Sequence, residues 1–119
     1  MAEETIIVHT EKRDDGIAIV YINGNIITNL SGTSVRAEIE ALLKAERPRI
    51  ILNIHDVRYL DSYSFGWLAK VQKDAIAKGG KFAVSNPNDE INDLMQMLKF
   101  DKTVPVFASE EDASADFKG

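Results

Sequence analysis

Apolar residues gather in three short runs, within Ile17–Ile22, Ile50–Ile54 and Lys81–Ser85, and between these runs they recur every three or four positions. A run without alternation suits a strand covered on both faces, and a three-to-four spacing suits a helix with one buried stripe. Thr5–Arg13 leads through Asp14-Asp15-Gly16 into IAIVYI. An Asp-Gly turn supplies the positive dihedrals of a tight reversal, so a hairpin is predicted there. Val35, Ile39, Leu42 and Leu43 predict a helix from Ser31 or Ser34 to Ala45, stopped by Pro48. Phe65, Leu68, Ala69, Ala75 and Ile76 predict a second over Ser62–Lys78, ended by Gly79-Gly80. Ile91, Leu94, Met95 and Leu98 predict a third after Asn86-Pro87. Val104–Phe107 reads as a last strand, and Ser109 with Asp112 as a capping box opening a terminal helix. The order is ββαβαβαβα, an α/β fold with a mixed, mostly parallel sheet and helices packed on it.

Composition narrows this picture. A chain of 119 residues with 45% apolar content, three prolines and seven glycines fits one domain over residues 1–119. Nineteen acidic against fourteen basic residues set a field that repels nucleic-acid backbones. The basic stretch Lys44–Arg49, KAERPR, is interrupted by Glu46 and reads as a solvated helix end. The absence of cysteine excludes disulfides and thiolate chemistry. No run approaches the roughly 20 apolar residues of a membrane span, and MAEETIIVHTEK lacks an export signal's basic and apolar regions. A cytoplasmic protein without membrane insertion is therefore expected.

In parallel sheets, sites gather where strand carboxyl ends lead into helix N-termini. Asp61 and Ser62 fall at such a junction, with Asp61 placed to accept from the amide of Tyr63 or Ser64 and Ser62 presenting a hydroxyl where a helix accommodates phosphate. His55-Asp56 beside Asp61 lacks a second histidine, so turn hydrogen bonds are expected and no metal or cofactor. Ser62 with His55 lacks the G-x-S-x-G elbow of a hydrolase, and Gly79-Gly80 has no lysine-serine pair of a phosphate loop. A receiver-type acidic pair and lysine find only superficial counterparts in Asp14-Asp15 and Lys81. An enzyme is not expected. Met97 and Trp67, if exposed, favour a protein-binding face.

Ile50-Ile51-Leu52-Asn53-Ile54, Val57, Leu60 and Asp61-Ser62-Tyr63-Ser64-Phe65-Gly66 together resemble the strand and switch motif of the STAS family, the anti-sigma factor antagonists. Tyr21-Ile22-Asn23-Gly24, Ser85-Asn86-Pro87 and Ser109–Ala113 extend the resemblance over most of the chain. Tyr63, Ser64, Ile27 and Asn53 depart from the family's usual residues, the last two lowering the negative charge near Ser62. The resemblance implies a protein-interaction switch that binds an anti-sigma factor/serine-protein kinase until Ser62 is phosphorylated, with a separate serine phosphatase reversing it. Ser64 is the second choice for the phosphate, and Asp61, Tyr63, Ser64, Phe65, Gly66, Asn25 and Thr28 form the implied switch loop and partner-binding surface. A non-switching adaptor of a membrane lipid-transport or signalling assembly is the alternative. A monomer, or a weak homodimer paired through the first strand, is expected.

Overall fold

The computed structural model describes residues 6–118. Among the described residues, five strands lie in the order β1-β2-β3-β4-β5. These are β1 (Ile7–Lys12), β2 (Ala18–Ile27), β3 (Arg49–Leu60), β4 (Lys81–Ser85) and β5 (Val106–Phe107). β1 is antiparallel to β2, as the Asp-Gly turn requires, and all other pairs are parallel. Four helices follow the predicted order: α1 (Ser34–Leu42), α2 (Ser62–Ala77), α3 (Asp89–Met97) and α4 (Glu110–Lys118). Residue Thr5 of the predicted hairpin lies outside the described residues.

The sheet separates two apolar cores. Val20, Ile22, Ile50, Leu52, Phe82 and Val84 point to one side, where α1, α2 and α3 supply Val35, Ile39, Leu68, Val71 and Ile91. Ile17, Ile19, Ile51 and Ala83 point to the other and are covered by Ala113 and Phe117 of α4. This two-sided burial is why the inner strands carry continuous apolar runs.

Several boundaries differ from expectation for local physical reasons. The polar stretch after Ile54 is strand, not turn: β3 runs on to Leu60 beside a lengthened β2, with one extra β3 residue between the Tyr21–Asn53 and Asn23–Asp56 pairs. The Asn53 side chain takes the His55 amide at 2.9 Å at this bulge. Val57 and Leu60 are buried along the extension, and exposed Asp56 and Arg58 mask their apolar signal in the sequence. α1 starts at Ser34, one of the two expected starts, with Thr33 capping it by accepting from the Val35 amide because a 3-10 turn occupies Leu30–Gly32, but it ends at Leu42, before the expected Ala45. Ile76, predicted to face the core, is exposed, and Gln72 and Val71 are buried instead. Leu98 is likewise exposed. β5 begins only after Pro105, which has no N–H to extend the ladder. Ser109 Oγ accepts from the Asp112 amide at 3.1 Å, the predicted cap of α4.

Candidate functional site

β2 and β3 end side by side, Ile27 opposite Leu60, and the Asp61 amide donates to the Ile27 carbonyl at 3.2 Å. The next residues must therefore leave the sheet together. Asp61 is the N-cap of α2 and its Oδ1 accepts from the Ser64 amide at 2.9 Å, as expected of a cap. The same carboxylate does more: it accepts the Asn29 amide at 3.1 and 3.0 Å and the Ser64 hydroxyl at 2.8 Å. Burial, the largest single influence, raises the Asp61 pKa, but the combined hydrogen bonds from Ser64 and Asn29 outweigh it and hold the carboxyl below its ordinary value.

Ser62 and Ser64 are equivalent on paper and opposite in space. Ser62, in the first turn of α2, is exposed, and its hydroxyl makes no hydrogen bond among the described residues. Ser64 is fully buried; its Oγ donates to Asp61 and accepts the Leu30 amide at 2.9 Å, sewing the β2–α1 connection to α2. Access to that oxygen from solvent requires breaking the junction. Phe65 is buried too: it is 4% exposed and packs on Phe100, ring centres 5.2 Å apart, so it supports the site from below.

The other residues of the expected surface differ from Phe65 in exposure. Tyr63 is 77% exposed, and Gly66, Asn25 and Thr28 are exposed as well. Thr28 follows the strand pair directly; Asn25 belongs to β2 itself, three residues earlier. Met97 is 77% exposed and Trp67 half-buried against the core. Beside Ser62 lies a groove of about 280 Å³ that includes Gly66, Leu98, Lys99 and Phe100. Lys99 and Asn29 were missed from sequence. Both hold left-handed backbone, φ 59° and 52°, for which the sequence offers only the mild preference of asparagine.

Gly66 sits mid-helix with no atom within 4 Å of the place a Cβ would take. Packing does not demand glycine there. Gly66→Ala should therefore raise the unfolding free energy by about 0.5–1 kcal/mol, read from urea denaturation.

A family model described as the STAS domain matches residues 10–113. A protein of Thermotoga neapolitana named as a candidate anti-sigma factor antagonist is 27% identical over 71 residues, 60% of this chain; the chain spans 63% of that relative's length. The anti-sigma F factor antagonist of Paenibacillus polymyxa is 26% identical over 98 residues, covering 82% of this chain and 84% of that protein. Among solved structures, an anti-sigma factor antagonist from Mycobacterium paratuberculosis superposes with a TM-score of 0.83 at 21% identity, over 97% of this chain and 96% of that one.

Proposed function

The chain belongs to the STAS domain family, and from that premise we propose that it is an anti-sigma factor antagonist whose release from its partner is triggered by phosphorylation of Ser62. The partner is an anti-sigma factor that is also the serine kinase, and a separate serine phosphatase restores the binding form. The single observation carrying this reading is the contrast between the two hydroxyls of the motif: Ser62 lies free on the surface beside exposed Tyr63, and Ser64 is locked inside.

The physics of release is short. A phosphate adds about −1.5 to −2 charge at pH 7. On Ser62 it lies near the first amides of α2, which tolerate an anion, so the domain stays folded. At a docked surface the same anion brings desolvation and like-charge repulsion, and every 1.4 kcal/mol of it weakens binding about tenfold. This chain is the substrate of the transfer and need supply no catalytic group.

Incubation with ATP and extract of the source cells, followed by phosphopeptide mapping, tests this. Phosphate is expected on Ser62, is lost in Ser62→Ala, and Ser62→Asp weakens partner capture at least about tenfold with an unchanged melting temperature. An unmodified Ser62, together with undiminished binding by Ser62→Asp, sinks the switch and leaves a non-switching adaptor.

A further inference from the structure

The basic stretch that ends α1 has no role in the switch, yet the fold does not leave it as a loose helix end. Arg47 and Arg49 meet Lys12 and Arg13 from the β1–β2 turn around a cavity of about 320 Å³. It lies at the amino end of β3; twelve extended residues put Ser62 about 35 Å away. The floor is apolar, made by half-buried Leu42 with exposed Ala41 and Ala45 at the end of α1.

Charge sets this cavity apart from the rest of the molecule. The chain carries a net −5, but the cavity wall holds four cations and no carboxylate. Asp15 stands close by, and its charge is already engaged by Arg13 at 3.2 Å and Lys118 at 3.4 Å. Arg49 is held by its donation to the carbonyls of Asp15 at 2.9 Å and Phe117 at 2.8 Å, neither of them a charged partner. Lys12 and Arg47 are exposed and enter no ion pair or side-chain hydrogen bond among the described residues. Lys12 and Arg47 thus line one cavity without a counter-charge, beside Arg49, an arrangement whose mutual repulsion an incoming anion relieves.

We propose that this pole binds a small amphipathic anion: a carboxylate or phosphate monoester whose charged head sits between Lys12 and Arg47, in the positive field of Arg49, and whose short apolar body lies against Ala41, Leu42 and Ala45. The guanidinium fork of Arg47 suits planar, bidentate recognition of either head group. An apolar floor with a few convergent polar groups, at the small end of ligand-pocket volumes, fits a body of several carbons.

The test is a titration of the whole chain with octanoate, octanol and inorganic phosphate, followed through backbone amide NMR shifts. Octanoate is expected to saturate with Kd near or below about 1 mM and to move the amides of Gly16, Ala18 and Ala45, with octanol and phosphate each at least about tenfold weaker. The exposed double variant Lys12→Gln/Arg47→Gln, which leaves the core untouched, should weaken octanoate about tenfold, and salt should do the same. Equal binding of octanoate and octanol, shifts confined to another surface, no saturation by about 10 mM, or wild-type affinity in the double variant overturns the proposal. So does binding seen only on vesicles of phosphatidylglycerol, which would mark a membrane-facing charge patch instead. Ser62 phosphorylation plays no part in any arm.

Discussion

Replacing Gly80 with alanine is expected to destabilise the domain by about 3 kcal/mol or more, at the upper end of overpacking costs. The two glycines that close α2 do different work. Gly79 holds φ +75°, and its amide and that of Gly80 cap the helix by donating to Ile76 at 2.9 Å and Ala75 at 2.8 Å. Gly80 then passes so close to Pro48 that a Cβ would stand 2.0 Å from its carbonyl oxygen and 2.8 Å from its ring. That carbonyl accepts the Lys81 amide at 2.8 Å, the bond that starts the β3–β4 ladder. The clash is with backbone, so relief requires moving β4 away from β3. Gly79→Ala, with nothing nearer than an Arg47 side-chain carbon at 3.9 Å, should cost only about 1 kcal/mol, from its left-handed backbone. Denaturant midpoints of the two variants provide the measurement; equal losses would show that the contact with Pro48 is not tight.

Asp61→Ala should cost about 2–3 kcal/mol, more than the roughly 1 kcal/mol of an ordinary cap. Alanine removes the acceptor of two backbone amides, Asn29 and Ser64, and of the buried Ser64 hydroxyl together. The loss concerns function too, since the carboxylate joins the β2–α1 connection to the turn that presents Ser62. Its titration gives the effect a signature. The folded-state pKa of Asp61 is depressed, so its stabilisation is fully present above the unfolded carboxylate value of about 3.9 and is lost as pH falls below that through the folded value. Asp61→Asn keeps one acceptor oxygen and should lose less at pH 7. The gap between it and wild type should shrink on acidification below about pH 4, followed by thermal melts. A gap that stays constant down to pH 2 contradicts the network described here.

The element order was legible because each element obeys a local rule. Apolar runs mark strands buried on both faces, Asp14-Asp15-Gly16 marks the one antiparallel connection, and Thr33, Asp61, Asn88 and Ser109 all accept helix-starting amides. The errors fall where local pattern and packing separate. Ile76 has the hydrophobicity of a core residue but lies on the flank of the α2 stripe, and the extension of β3 hides behind exposed Asp56 and Arg58.

The motif itself, Asp61 through Gly66, could be read from residue types at fixed spacing, since a cap and a hydroxyl at a helix start are local chemistry. Sorting its two serines could not. Ser64 is buried where the Leu30 amide, thirty-four residues earlier, lands on its oxygen, and Ser62 stays exposed where no group of the described residues hydrogen-bonds its hydroxyl. Likewise, four basic residues from two separate stretches became one pole only when β1, β2 and β3 were set side by side. Local sequence carries propensity and periodicity, whereas burial and charge proximity depend on contacts between distant segments and exist only once the chain has folded.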